Sequence, residues 1–259
     1  MNEVIMQKLN EIEQRESVRI IMAIESGSRA WGFASPDSDY DVRFVYVRTL
    51  KDTLRLEKYR DVIEWQLDDV LDISGWDLQK ALRLMHDSNP SIFEWCSSPI
   101  IYRNSKAFEE LKLIKDEFFS PKKSLYHYWH MANSNYQNYL QGDKVRIKKY
   151  FYVLRPLLAA KWVMEEKSQP PMLFSELLIK LPLEQKESVD KLLEMKQVMP
   201  EMGMASKIEI LDNYIETELL AIKSVADEEA EKRTEWTNLN RFYYDQILGD
   251  DGRGYGIPK

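Results

Sequence analysis

Ile24-Glu25-Ser26-Gly27-Ser28 is followed, with ten residues between, by Asp39-Tyr40-Asp41, and this pairing decides how the chain is read. The run Val18-Arg19-Ile20-Ile21-Met22-Ala23-Ile24 is β-branched enough to form a buried strand, and Gly27-Ser28 closes it with a turn signal. Backbone amides at such a turn can face an anion. From Asp39 to Val47 the sequence alternates with period two. Tyr40, Val42, Phe44 and Tyr46 then share one face, and Asp39, Asp41 and Arg43 the other. Acids at i and i+2 on a strand stand roughly 6.5 Å apart, close enough to flank divalent cations. Magnesium takes one or two carboxylates from a protein and fills its shell with waters and substrate phosphates. Taken alone, such acids more often belong to a polar turn, and Ser35-Pro36-Asp37-Ser38 carries turn-forming residues.

The composite of apolar strand, Gly-Ser, and Asp-x-Asp inside a second apolar strand resembles the signature of the DNA polymerase β-like nucleotidyltransferase superfamily. Within it, GSRAWGFASPDSDYDVR (Gly27 to Arg43), DISGWDLQKAL (Asp72 to Leu82) and SNPSIFEWCSSPIIY (Ser88 to Tyr102) are similar to the YcgL-like predicted nucleotidyltransferases, an RNA-repair-associated branch. KKYFYVLRPLLAAKW (Lys148 to Trp162) looks like the same group. The resemblance implies an α+β fold. A small mixed β-sheet nucleotidyltransferase domain, a polymerase β-like palm, is expected over residues 1–104 and an all-helical domain over 105–248. A glycine-rich tail, 249–259, is expected to be mobile.

The resemblance also implies an activity: transfer of a nucleoside monophosphate from a nucleoside triphosphate to an acceptor hydroxyl, with release of pyrophosphate. An RNA end is the favoured acceptor; a protein, metabolite or antibiotic hydroxyl stays open, because fold does not fix substrate. Two magnesium ions, with manganese as a substitute, would be held by Asp39, Asp41 and a third acid. Asp72 sits between Leu71 and Ile73 in a strand pattern, where a charge either faces a polar site or is costly. Asp77, the alternative, has a ready role as a helix cap. Gly27 and Ser28 would hold the β- and γ-phosphates. Arg29 and Arg43 are further phosphate contacts, and Lys149 and Arg155 would reach in from the helical half. Arg43 could instead serve as counter-ion to the aspartates whose face it shares. A noncatalytic nucleotide- or partner-binding protein on the same fold is the alternative function.

Composition agrees with an ordinary globular protein: 259 residues, 44% hydrophobic and 31% charged. No apolar run is long enough to span a membrane and no signal peptide is evident, so the expected compartment is the cytoplasm. The single cysteine, Cys96, can form no internal disulfide and reads as a packed side chain. A net charge of −7 argues against nonspecific coating of nucleic acid. Within that acidic chain, however, the segment Lys144 to Met164 has no Asp or Glu and carries Lys144, Arg146, Lys148, Lys149, Arg155 and Lys161. Such a run is either a solvated helix face or a phosphate-facing one.

Further elements follow from periodicity. A helix is expected at 2–15 with Val4, Ile5, Leu9 and Ile12 inward. A hairpin is expected over 62–73 with Leu67, Asp68 and Asp69 as its turn, then a helix opened by Ser74 as N-cap. Long helices are expected at 105–117, 121–140, 144–166, 182–195 and 207–248, the last with a break, with 199–203 as punctuation. His127 and His130 are i, i+3 neighbours, but packing explains them better than a metal.

Overall fold

The first strand carries a bulge, which lets one apolar run serve two cores. The structure, a computed structural model, describes residues 1–68, 70–198 and 203–249. Within them β1 (Val18–Glu25) pairs antiparallel with β2 (Tyr40–Arg48), and their register slips between Ile20 and Met22. Val18, Ile20 and Ala23 join one apolar cluster, while Ile21, Met22 and Ile24 join another on the opposite face. Helix α1 (Asn2–Glu16) covers the first cluster with Ile5, Leu9 and Ile12. Val4, expected on that face, is instead 46% exposed.

The sheet is completed by β3 (Val62–Asp68), β4 (Leu71–Asp77) and β5 (Ile101–Arg103), in the order β3-β4-β2-β1-β5 among the described residues. The predicted hairpin is β3–β4, with its turn residue Asp69 outside the described residues. β4 also runs parallel to β2. Flanked on both sides, β4 continues through Ser74 to Asp77, so Ser74 is a strand residue rather than the N-cap. Asp77 takes that role, its Oδ1 accepting from the Gln79 amide at 2.8 Å. Gly75 lies opposite Phe44 in the ladder, and a Cβ there would fall inside the Phe44 ring.

Two short helices, α2 (Gly27–Ala30) and α3 (Leu50–Thr53), follow β1 and β2. After β4 come α4 (Leu78–His86) and α5 (Pro90–Cys96); after β5 come α6 (Lys106–Ile114) and α7 (Pro121–Tyr139). The long α8 (Ile147–Glu166) packs along α7. Then come α9 (Phe174–Leu177), α10 (Leu183–Val198), α11 (Glu209–Glu228) and α12 (Thr237–Leu248). Residues 144–146 were expected to begin a helix. They form β6 (Lys144–Arg146), paired antiparallel with β7 (Met204–Ser206), with Val145 buried. The helical half therefore contains a two-stranded ladder, and α8 starts only at Ile147, whose amide donates to Gly203 O at 3.0 Å. The apolar cluster beneath α7 and α8 includes Val45 and Val47 of β2, so strand and helices share it. Most of the predicted punctuation at 199–203, and the tail beyond Gly249, lie outside the described residues.

Cys96 is buried, and burial pushes its thiol pKa up to about 12, which suits a packed, protonated side chain. Among the described residues no helix is long and apolar enough to cross a membrane.

Candidate functional site

β2 and β4 are parallel neighbours in which Asp41 lies beside Asp72. Adjacent strands stand about 4.8 Å apart, so the two carboxylates share one face at close range. Between them sits Arg43. Its Nη2 donates to Asp41 Oδ1 at 3.0 Å and to Asp72 Oδ2 at 2.8 Å, and its Nη1 donates to the carbonyls of Val42 and Asp72, each at 3.1 Å. Asp77 pairs instead with Tyr46, five residues along the strand, and its carboxyl faces Arg48 at 3.7 Å. Burial raises its pKa against the pull of the helix-end amide and Arg48.

Asp39 stands just before β2 and is exposed; its carbonyl, not its carboxylate, is gripped, by Arg29 Nε at 3.0 Å. Arg29 Nη2 also donates to Ser38 O at 2.5 Å, and the guanidinium lies 3.8 Å from the centre of the Tyr40 ring. This arginine therefore braces the approach to β2. The structure brings Asp41, Asp72 and Arg43 together and leaves Asp39 at their edge. Among the described residues, no group of three or more His, Cys, Asp or Glu is placed to hold a metal ion. Asp41 and Asp72 could supply hard oxygen donors to a divalent cation, which takes only one or two carboxylates from a protein and fills its shell with phosphate and water.

Gly27 explains its own identity. Its φ is +60°, and a Cβ there would stand 2.8 Å from Asp41 Cγ and closer still to Oδ2. The chain turns here because the Ser26 amide donates to Asp41 O at 2.8 Å, which ties the end of β1 to the start of β2. Gly27 and Ser28 then begin α2, where the first amides lack partners within the helix.

One participant was not singled out from sequence. Glu25 is fully buried; its Oε1 accepts from the Asp41 amide at 2.8 Å and its Oε2 from the Tyr102 hydroxyl. Desolvation raises its pKa, opposed by those two hydrogen bonds. The available signal was a carboxylate closing an apolar strand, the same argument that singled out Asp72.

The basic run disperses in space because its partners come from other elements. Lys144 and Arg146 are exposed on β6, whereas Lys161 pairs with Glu218 at 2.6 Å. Lys149 lies 3.5 Å from the centre of the Tyr139 ring and 5.0 Å from that of Tyr152. Arg155 is only 2% exposed; its Nη1 donates to Glu94 Oε1 at 2.9 Å and its guanidinium stacks 4.4 Å from the Trp31 ring centre. His127 packs edge-on against Tyr128, with its pKa lowered by burial.

Comparison with known proteins bears on this arrangement. A Bacillus subtilis (strain 168) protein, YcgL, is 45% identical over 251 residues, covering 95% of this chain and 96% of the relative. A solved nucleotidyltransferase-like protein from Exiguobacterium sibiricum 255-15 aligns over 95% of this chain and 81% of its own, at 13% identity and a TM-score of 0.32. The RlaP family model matches residues 1–245, a span that holds the Gly27 turn, the Asp41–Asp72 pair and nearly all of the helices packed beneath them. By that match and the YcgL identity, the chain belongs to the RNA repair pathway DNA polymerase beta family, a polymerase β-like nucleotidyltransferase family linked to RNA repair.

Proposed function

We propose that the protein is a metal-dependent nucleotidyltransferase that moves a nucleoside monophosphate from a nucleoside triphosphate to an acceptor hydroxyl, with an RNA end as the acceptor. The observation that carries this reading is the Asp41–Asp72 pair, adjacent in parallel register, with Asp41 packed against a glycine turn that admits no side chain. In the reaction, the acceptor hydroxyl gives up its proton to solvent and its oxygen forms a bond to the α-phosphorus, the bridging bond to the β-phosphate breaks, and pyrophosphate leaves. Phosphoryl transfer asks the protein for positioning and charge compensation more than covalent chemistry.

Asp41 and Asp72 would hold the magnesium, or manganese, with Asp39 at the lip available to a second ion. Bound there, the metal supplies charge neutralisation at the entering and leaving oxygens. The amides of Gly27 and Ser28 and the Ser28 hydroxyl would receive the β- and γ-phosphates. Arg43, which otherwise neutralises both carboxylates, would turn its guanidinium toward phosphate. Glu25 and Tyr102 fix the backbone of Asp41, and Arg29 fixes that of Asp39. Lys149, whose ammonium lies over the Tyr139 and Tyr152 rings, would meet an acceptor phosphate from the helical half. Arg155, already neutralised by Glu94, keeps a binding role only through its remaining N–H donors.

The test is transfer of α-labelled nucleotide to total RNA with magnesium, with Asp41→Ala and Asp72→Ala as controls. Label in RNA that both variants abolish is the expected result; no transfer from any triphosphate would refute the reading. The Arg43 bridge is also what a binding-only protein would show, its carboxylates permanently neutralised. Nucleotide affinity without turnover would favour that alternative.

A further inference from the structure

We infer that Arg43 is a latch on the carboxylate pair, a built-in cation that keeps free metal ions off Asp41 and Asp72 and yields to a polyphosphate. The inference deepens the nucleotidyltransferase reading and rests on it for the role of the pair. One nitrogen makes the closing contact. Arg43 Nη2 lies 3.0 Å from Asp41 Oδ1 and 2.8 Å from Asp72 Oδ2, so it bridges both acids as a shared divalent ion would. A lone pair given to the guanidinium is withheld from a metal, and a divalent ion brought beside that guanidinium is repelled by it.

The latch is also held from behind. Arg43 Nη1 donates to the carbonyls of Val42 and Asp72, each at 3.1 Å, which ties the guanidinium to the backbone of both strands. The side chain is 18% exposed, and partial burial limits the screening of its pairing with the acids. A guanidinium stays charged at any ordinary pH, so loss of a proton does not open the contact. Arg29, the neighbouring cation, is committed elsewhere: its donors go to the carbonyls of Ser38 and Asp39, and its plane lies over Tyr40. Opening the latch therefore takes a competing anion. A condensed phosphate chain carries several charges, so it can offer Arg43 a replacement partner and supply the counter-charge for the incoming ion. Metal and polyphosphate then favour each other's binding, while metal alone meets a closed pair.

Manganese binding, read from the electron paramagnetic resonance signal of the free ion with no nucleotide present, tests this. Arg43→Met keeps side-chain length and removes the charge; it should bind manganese at least about tenfold more tightly than wild type. Arg43→Lys keeps a charge beside the pair and should stay within about threefold of wild type. Adding Asp72→Asn to Arg43→Met should return the affinity to the wild-type level or below. Two results would overturn the latch: Arg43→Met binding manganese no better than wild type, or Arg43→Lys gaining as much as Arg43→Met. Should Arg43→Met fail to fold, wild type itself decides. The nitrogen-15 resonances of the Arg43 guanidinium, assigned with Arg43→Lys, should hold still in magnesium chloride alone and shift once a nucleoside triphosphate is added. A shift in magnesium alone counts against the latch. No shift with any triphosphate, alongside the expected manganese results, leaves the latch standing and refutes the nucleotidyltransferase reading instead.

Discussion

Replacing Gly27 by alanine probes the turn and the carboxylate beside it in one step. At φ +60° an alanine sits in the left-handed region, at a cost of about 1–2 kcal/mol. Its Cβ would also lie 2.8 Å from Asp41 Cγ, so the carboxylate must swing away, strained off its rotamer at about 1 kcal/mol. Swinging away breaks the 3.0 Å contact to Arg43, whose side chain is 18% exposed against 23% for Asp41. That partly solvated, charge-assisted bond is worth about another 1 kcal/mol. The total is about 3–4 kcal/mol, or a fall in thermal midpoint of about 6–16 °C for a chain of this size. In an Asp41→Ala background only the backbone cost survives, so Gly27→Ala should then cost about 1–2 kcal/mol. The coupling of about 2 kcal/mol is read from chemical denaturation of the four proteins in the cycle. Additive effects in that cycle would refute the claim that Gly27 is there to admit the Asp41 carboxylate.

Three further perturbations discriminate the parts of the structure. Arg43→Gln removes the guanidinium between Asp41 and Asp72; the variant should melt lower in chelator and recover with magnesium by more than wild type does, and an equal deficit in both would argue against the pair as a cation site. Arg155→Met strands Glu94, whose side chain is 14% exposed, and should cost about 3–5 kcal/mol in urea unfolding, with Glu94→Gln restoring part of it. No recovery in the double variant would mean that the ion pair is not the source of the loss. Asp212 has its pKa raised by burial from 3.8 to about 6, against the pull of Lys207 and the Tyr150 hydroxyl. The fold therefore favours the protonated form, so its contribution is most favourable at the acid end and is lost as pH rises through about 6. Asp212→Asn should flatten that slope and gain stability at neutral pH; an unchanged slope would show that other groups set it.

Strands β1 to β4, the α1 face apart from Val4, and most of the long helices were legible in the chain because each follows from local composition and periodicity. So was the candidacy of Asp41 and Asp72: a carboxylate inside an apolar strand is anomalous whatever the strand pairs with. Residues 71–77 show where local reading stops. Ser74 followed by Asp77 resembles a capping box, yet hydrogen bonding to β2 and β3 on both sides carries the strand to Asp77. Lys144 to Arg146 likewise become a strand only because residues 204–206 lie beside them. Tertiary structure alone decided that β4 runs parallel to β2, and with it that Asp72 stands beside Asp41 while Asp77 lies at the far end. It also decided that Arg43 bridges the pair, that Glu25 holds the Asp41 amide, and that Arg155 is neutralised by Glu94 from another helix. The sequence by itself names the residue types able to do the chemistry, because side-chain character and strand phase are local. Which of them meet depends on pairing and register between segments distant in the chain, which no local pattern encodes.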